Sequence, residues 1–314
     1  MGKLGRWVFV LFACSALAGG GYWLLHQGIY GLSLFIVAPV LLGAISTAAL
    51  RPKNASEAIK MGAFAAFLGS ASLLLLGLEG AICIILCLPL TVPGGALGGW
   101  LVYRLRDQRL SASGTAMLVL IPAGALGFDV TAQPPLYEVR SSVEIAASPE
   151  HVWKHVVAFA KMPEPSEWYF HTGLAYPMAA RMEGSGLGAK RYCDLSTGPV
   201  VESVEVWDEP RLLRFGVIET PPPMREWSPY GEVKARHLHG YMISKEGQFR
   251  LIALGPHRTR VEGTSWYQHG LWPAQYWRLW TDAIVYRIHM RVLDHIRTLA
   301  QADESRDAYS GRTR

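Results

Sequence analysis

The chain has 314 residues, half of them hydrophobic, and a formal net charge of +5 at pH 7. This length allows about two domains, and so small a basic excess does not indicate a nucleic-acid partner. Three of the four cysteines lie in apolar stretches, while Cys193 stands alone in the more polar half. We therefore expect no disulfide within that half, and the cysteines lack the paired spacing of a zinc site.

Residues 1–130 predict a multi-span helical membrane bundle. A bilayer-spanning helix needs about 20 apolar residues, and the candidate spans are 7–25, 29–50, 61–78, 81–103 and 111–128. The fifth is short and contains Pro122, so a re-entrant or interfacial segment is its alternative. The first could be a cleaved signal sequence, but its apolar run continues through Leu25, which favours an uncleaved anchor.

Basic residues set the expected orientation. They precede the first span and lie between the second and third and between the fourth and fifth: Lys3, Arg6, Arg51, Lys53, Lys60, Arg104, Arg106 and Arg109. The positive-inside rule places these segments in the cytoplasm. With five spans, the polar half then lies outside the cytoplasm, as part of a multi-pass protein of a plasma or inner membrane.

Two features of the bundle have more than one interpretation. Gly94 and Gly98 are four residues apart, a spacing that lets two helices approach closely. This indicates a homo-oligomer through the Gly94/Gly98 face, a channel-like break in the helix, or packing within the bundle. Glu79 lies between the third and fourth spans. We interpret it as a loop residue, because no charged partner for ion coupling is found at the same depth.

After a linker at 131–136, residues 137–301 predict an α+β domain. Alternating polarity predicts a first strand at 137–147, and Ser148, Pro149 and Glu150 form a helix start. Further strands are expected at 176–183, 189–195, 200–207, 212–219, 238–245, 248–254 and 259–269. A long helical pattern covers 273–301, and the polar tail 302–314 is expected to be disordered.

Three segments of this half carry a family resemblance: VEIAASPEHVWKHVVAF, GSGLGAKRYCDLSTG and VEVWDEPRLLRFGV. Together with the last helix they resemble the START-like superfamily, also called the SRPBCC or polyketide cyclase/dehydrase and lipid-transport family. The resemblance covers about 138–299 and implies a helix-grip fold, an antiparallel sheet wrapped round a long C-terminal helix with an apolar cavity between them. The family includes lipid carriers, cyclases, hydroxylase subunits and small-molecule receptors, so the fold alone does not determine function.

Strand alternation and a helical stripe predict which side chains line this cavity. The predicted ligand-binding residues are Phe215, His239, Tyr241, Phe249, Leu251, Tyr267, His269, Trp277, Ile284 and Ile288. The alternative is that they form a filled core. The loop 220–236, with four prolines and exposed aromatic residues, predicts either a lid or lipid-headgroup contact, or a loop packed on its own domain.

The sequence predicts no catalytic residue, no metal and no cofactor. Arg278, Asp282 and His289 share one side of the last helix. We interpret this side as a solvated face with one surface ion pair, and the alternative is an Asp–His acid–base pair. His237 and His239 have the spacing of two metal ligands on a strand, but no third ligand is identifiable. Cys193 has no neighbouring sequence feature that would activate a thiol.

We therefore predict a membrane protein whose soluble domain binds a hydrophobic or amphipathic small molecule, such as a lipid or isoprenoid, supplied by the bilayer. One alternative is a cyclase, dehydratase or hydrolase that acts on a membrane-derived substrate. Another is a sensory or assembly module without a small ligand. Polar pairs deep in the cavity would favour the enzyme, an apolar cavity the carrier, and a filled interior the third class.

The orientation can be tested with a reporter that is active only in the cytoplasm. Fused after Arg314, it should be silent, whereas the same reporter inserted after Arg106 should be active. Activity of both fusions would mean that residues 111–128 do not span the membrane.

Overall fold

The chain forms two compact units, and a computed structural model describes its residues 3–106, 112–233 and 235–312. The first unit contains the residues up to Gln133 and two later segments, Glu226–His237 and Gly270–Gln275. The second unit contains Pro134–Arg225, Leu238–His269 and the chain from Tyr276 onward. The two later segments of the first unit lie within the range that the sequence predicted to be one soluble domain. Arg109, Ser111 and Lys234 lie outside the described residues.

The first unit is built from helices. They are α1 Lys3–Gln27, a π-helical turn Ser33–Val37 that continues directly as α2 Ala38–Leu50, α3 Ala55–Leu75, α4 Ala81–Leu105 and α5 Ala112–Thr131. Among the described residues, four stretches are long and apolar enough to cross a membrane: Trp7–Gln27, Ser33–Leu50, Ala55–Leu75 and Ala81–Leu105. In α5 the apolar stretch Val119–Thr131 is shorter, so the fifth span stays a prediction.

Helix α3 begins six residues earlier than the apolar pattern indicates, because Asn54 caps it. The Asn54 side chain accepts a hydrogen bond from the backbone N–H of Glu57 at 2.9 Å, and the Glu57 carboxylate accepts one from the N–H of Lys53 at 2.8 Å. This reciprocal arrangement satisfies N–H groups that a helix start otherwise leaves unbonded. A polar first turn is thereby added to the apolar segment.

Glycines bring α4 into backbone contact with its neighbours. A Cβ atom at Gly98 would lie 1.9 Å from the carbonyl oxygen of Val40 in α2, and one at Gly95 would lie 2.3 Å from that of Gly62 in α3. Gly94 is directed at Pro39 of α2. The Gly94/Gly98 face is thus occupied within the same chain. This favours packing within the bundle over a homo-oligomer through that face.

The second unit contains a seven-stranded antiparallel sheet with the order β1-β9-β8-β5-β4-β3-β2. The strands are β1 Leu136–Ile145, β2 Pro177–Glu183, β3 Lys190–Leu195, β4 Gly198–Asp208, β5 Leu212–Glu219, β8 Met242–Gly255 and β9 Arg258–His269. Two short strands, β6 Glu226–Ser228 and β7 Gly231–Val233, form a hairpin in the first unit. Helix α6 spans Pro149–Val157, α7 spans Ala274–Arg312, and 3-10 turns span Trp168–Thr172 and Arg236–Leu238.

The core lies between the inner face of the sheet and α7. Strand β1 alternates strictly between exposed and buried positions, as a half-buried strand should. Leu213 and Val261 of the sheet are completely buried, as are Leu293 and Ile296 of α7, and all four belong to one apolar cluster. An antiparallel sheet closed over one long helix confirms the predicted helix-grip fold.

One strand replaces the two that the sequence predicts at 238–245 and 248–254. Strand β8 runs unbroken through Gly247, with a shift in its pairing to β9 between Ser244 and Glu246. Such a bulge bends a strand without ending it. Gly247 is needed here for close packing, since a Cβ atom at this position would lie 2.5 Å from the ring of Phe215.

The expectation of a disordered tail from residue 302 is wrong for the described part, because α7 continues to Arg312. His155 bonds Asp303 at 2.8 Å, and the Glu304 carboxylate binds His151 at 2.6 Å and the N–H of Ser148 at 2.8 Å. Burial alone would raise the pKa of Glu304, but the hydrogen bonds from Ser148, His151 and His257 lower it to about 2. The Glu304 hydrogen bond in turn raises the pKa of His151.

This contact makes the anchoring of the α7 end pH-dependent. The Glu304 contribution is complete above its ordinary pKa of 4.5 and is lost as the pH falls towards 2. The His151 contribution is complete below 6.5 and is lost as the pH rises through its raised value. We expect Glu304→Gln to lower the melting temperature most between these two ordinary values. Glu150→Gln, an exposed control on α6, should have little effect, and an equal loss at every pH would contradict the assignment.

Candidate functional site

The structure brings together most of the predicted cavity residues but not all of them. Phe215, Leu251, Tyr267, His269 and Trp277 are buried, Tyr241, Phe249, Ile284 and Ile288 are half-buried, and His239 is exposed. His239 and Tyr241 do not lie on a strand, because a 3-10 turn and a bend precede β8, which begins at Met242. The alternation assumed for them therefore does not apply, and their placement on one inward face is wrong.

One end of the interior is filled by an ion pair that the sequence analysis missed. Arg191 of β3 donates to Glu202 of β4 at 2.5 Å, and the side chains are only 2% and 6% exposed. The Arg191 guanidinium lies 5.1 Å and 5.5 Å from the ring centres of Phe215 and Phe249. Glu202 shares a strand phase with Val204, and that alternation could have identified it as inward-facing. Phe215, Phe249 and Leu251 are therefore core residues at this end.

The other end is an aromatic and polar layer. The Tyr267 hydroxyl donates to Asp282 of α7 at 2.5 Å, and Asp282 also accepts from Arg278 at 3.0 Å. The Tyr137 ring stacks on His269 with ring centres 5.1 Å apart. Burial raises the pKa of both Tyr137 and Tyr267. The Tyr137 hydroxyl is buried and has no hydrogen-bond partner among the residues that the structure describes.

His289 lies on α7 between these two ends, and its surroundings differ from the predicted solvated face. Its Nδ1 is 3.2 Å from the Ser141 hydroxyl of β1, and its Nε2 is 2.8 Å from the Ser265 hydroxyl of β9. Burial lowers the pKa of His289 to about 4, so the ring is neutral at physiological pH. Asp282 does not contact it, and the Asp–His pair considered for an enzyme is not formed.

The remaining candidate nucleophile of this unit is Cys193. Burial raises the pKa of its thiol to about 12. The thiolate is the nucleophilic form of cysteine, so this side chain is inert at neutral pH. The interior therefore offers apolar walls, neutral hydroxyl and imidazole groups and one buried ion pair. These groups can bind and orient an amphipathic molecule by hydrogen bonding.

Residues 137–265 match a protein-family model described as polyketide cyclase / dehydrase and lipid transport. The matched range begins in β1, ends within β9 and covers less than half of the chain. It agrees with the fold that the sequence resemblance implied. No curated protein matches the chain.

Solved structures show distant likenesses to about half of the chain. The Zhui aromatase/cyclase from Streptomyces sp. R1128 is 16% identical, with a TM-score of 0.33 over 53% of this chain and 94% of that one. Norcoclaurine synthase from Thalictrum flavum is 12% identical, with a TM-score of 0.34 over 53% and 87%. A protein from Nitrosomonas europaea is 13% identical, with a TM-score of 0.33 over 54% and 96%. Likenesses this distant say nothing about the chemistry of the site.

The buried ion pair generates a stability prediction. Glu202→Ala should destabilise the protein by about 3–5 kcal/mol, because it leaves the Arg191 charge buried without its partner. Asp208→Ala, which removes a partner of the exposed Arg211, should cost less than about 1 kcal/mol. Denaturant titrations of both variants measure the difference. Equal small losses would show that Arg191 reaches water.

Proposed function

We propose that the second unit binds a hydrophobic or amphipathic small molecule, such as a lipid or an isoprenoid-like compound, between the sheet and α7. The observation that carries this proposal is a row of neutral polar groups, buried or half-buried, on β1, β9 and α7. His289 with Ser141 and Ser265 forms one part of the row, and the Tyr137 hydroxyl forms the other. A ligand hydroxyl or carbonyl would satisfy Tyr137, which otherwise remains buried at a cost.

The helices of the first unit support a membrane-anchored carrier. Four of them are long and apolar enough to cross a bilayer, which is where hydrophobic ligands accumulate. Tethering a binding domain to the source of its ligand raises the effective concentration of that ligand. Together with the basic loops, the proposal places the domain on the extracytoplasmic side of a plasma or inner membrane. The sequence predicts the boundaries 137–301 for this domain, and we propose as its binding part the second unit, which excludes Glu226–His237 and Gly270–Gln275.

Polar pairs in the interior are the feature expected of an enzyme, but the bonding of these groups favours binding over acid–base catalysis. Both ring nitrogens of His289 are engaged by hydroxyls. Its lowered pKa keeps the ring neutral, so its one N–H and its one free lone pair are both directed at serines of the sheet. Asp282 is engaged by Tyr267 and Arg278. A general acid or base must reach the proton that it transfers, and both groups are committed to protein partners. We therefore rank the cyclase, dehydratase or hydrolase alternative second.

The third class, a sensory or assembly module without a ligand, is favoured by one feature only. Arg191, Phe215 and Phe249 fill their end of the interior. The proposed ligand accordingly occupies the opposite part, beside Tyr137, Tyr267, His269, Trp277, Ile284 and Ile288. Phe215, Phe249 and Leu251 would form its inner wall.

Native mass spectrometry of the full-length protein, released from detergent micelles, tests the proposal. We expect a retained lipid-sized adduct in the wild type and its loss in Ile288→Asp, because a carboxylate would be placed against the apolar ligand. Tyr286→Asp, at an exposed position of the same helix, should retain the adduct. Circular dichroism shows whether each variant is folded. An adduct that persists in folded Ile288→Asp belongs to the membrane helices and would contradict the site.

Alanine substitution of His289 separates the carrier from the enzyme. A carrier should lose about 0.5–1.5 kcal/mol of ligand affinity, the net value of one hydrogen bond. An enzyme that uses His289 as acid or base should instead lose about 10²–10⁴-fold in turnover while it still binds. His269→Ala provides the same comparison in the aromatic layer. Wild-type conversion of the retained lipid that disappears in either variant would replace the carrier with the enzyme.

A further inference from the structure

The first unit contains a cluster of three side chains of the types that bind metal ions. Glu79 is between α3 and α4, Cys83 is in the first turn of α4, and His237 ends the Glu226–His237 segment. One donor atom from each of these three side chains lies within 4.8 Å of the other two. Glu79 and His237 are 4% and 6% exposed, and Cys83 is half-buried.

Tyr30 fixes the carboxylate of Glu79. Its hydroxyl donates to Glu79 Oε1 at 2.6 Å, which leaves Oε2 turned towards His237 Nδ1 at 3.1 Å. Neither of these two atoms makes a hydrogen bond to any residue that the structure describes. The Tyr30 ring also meets the His237 ring edge-on, with ring centres 5.1 Å apart. The Glu79 carboxylate oxygen and the His237 imidazole nitrogen are thus close enough to bind one cation.

Glu226 fixes the position of Cys83 from the other side. Its carboxylate accepts the backbone N–H groups of Ile82 at 3.2 Å and Cys83 at 3.0 Å, so it caps the start of α4. Gly80 makes this approach feasible, since a Cβ atom there would lie 2.1 Å from Glu226 Oε2. The thiol of Cys83 is thereby held 2.7 Å from His237 Nε2. Glu226 itself is satisfied by the helix and lies 4.0 Å from that nitrogen.

We propose that Glu79, Cys83 and His237 bind a divalent transition-metal ion, zinc above all. Thiolate, imidazole and carboxylate are the ligand types of zinc, with bond lengths of about 2.0–2.3 Å. Two ligand atoms of one zinc ion are therefore separated by at most about 4.6 Å, and the three donor atoms here all lie within 4.8 Å of one another. Magnesium and calcium prefer oxygen ligands and do not suit a thiol and an imidazole.

Tyr30 and Glu226 have the positions of outer partners in such a site. Tyr30 orients the carboxylate ligand, and Glu226 fixes the backbone that carries the thiol. Outer partners of this kind typically account for about 10–100-fold in metal affinity. Three protein ligands leave the fourth zinc position for water or another small ligand. The ion would also clamp the β6–β7 hairpin segment to the start of α4.

The sequence expectation of no metal considered His237 only as a pair with His239. In the structure His239 is exposed and takes no part in the cluster. The other ligands come instead from residues about half the chain away, since Cys83 and His237 are 154 positions apart. No local spacing pattern can reveal such a set.

Zinc content of the full-length protein is the direct test. The protein is purified in detergent without a polyhistidine tag, equilibrated with zinc, desalted and analysed by mass spectrometry of the metal. We expect about one zinc per chain in the wild type and a loss of zinc in Cys83→Ser and His237→Gln. Cys87→Ser, one turn further along α4, and His239→Gln are matched controls that should retain it. Tyr30→Phe should weaken zinc binding about 10–100-fold.

A wild-type measurement guards against variants that fail to fold. Bound zinc should protect the Cys83 thiol from iodoacetamide, and a chelator should restore its alkylation, as followed by peptide mass spectrometry. Cys14 of α1, a half-buried thiol outside the cluster, provides the internal control, and its alkylation should not change with zinc. Cobalt in place of zinc should give a thiolate charge-transfer band that Cys83→Ser abolishes. Equal alkylation of Cys83 with and without zinc, or equal zinc content in the ligand variants and their controls, would overturn the proposal.

Discussion

The packing of α7 against the inner face of the sheet is the contact on which the second unit depends. Leu293 and Ile296 have no exposed surface, and neither have Leu213 and Val261 opposite them. Each such side chain contributes about 1.5–3 kcal/mol when it is removed from water. Because α7 is fixed along this line, His289 falls between Ser141 and Ser265. The C-terminal end of α7 contacts α6, where His151 bonds Glu304 and His155 bonds Asp303. The packing of the core therefore determines the positions of the side chains that we propose bind the ligand.

Local patterns predicted local structure well. Strand β5 has the predicted bounds, and β3 and β9 differ from prediction by one residue, because alternation depends only on neighbouring residues. The same reasoning failed at β8, where two strands were predicted with Gly247 in the gap between them, although this glycine makes room for the ring of Phe215. It also failed at the tail, whose polar composition gives no indication that histidines of α6 bind it. The composition of a segment does not show which other segment it contacts in the fold.

The candidate site was predicted only in part, because sequence patterns indicate which residues are buried but not which distant residues they contact. Tyr267, His269 and Trp277 are buried as alternation and helical spacing predicted, whereas His239 is not. Arg191 and Glu202 were missed because a charged residue in a strand is ordinarily solvent-facing. His289 was assigned to solvent because its polar partners are contributed by β1 and β9, one of them 148 residues away. His237 is a histidine with different neighbours, since a thiol and two carboxylates surround it instead of hydroxyls.

The division of the chain into units has a consequence for biosynthesis. The chain passes from one unit to the other after residues 133, 225, 237, 269 and 275. The helical unit therefore remains incomplete when its last helix leaves the ribosome, and it gains the β6–β7 hairpin only after β5 has been synthesised. Glu79 and Cys83 stay without His237 throughout that interval. If the apolar helices enter a bilayer, their insertion and the completion of the helical unit are separate events in time. A nascent chain halted before residue 226 holds a helical unit that lacks part of its own fold.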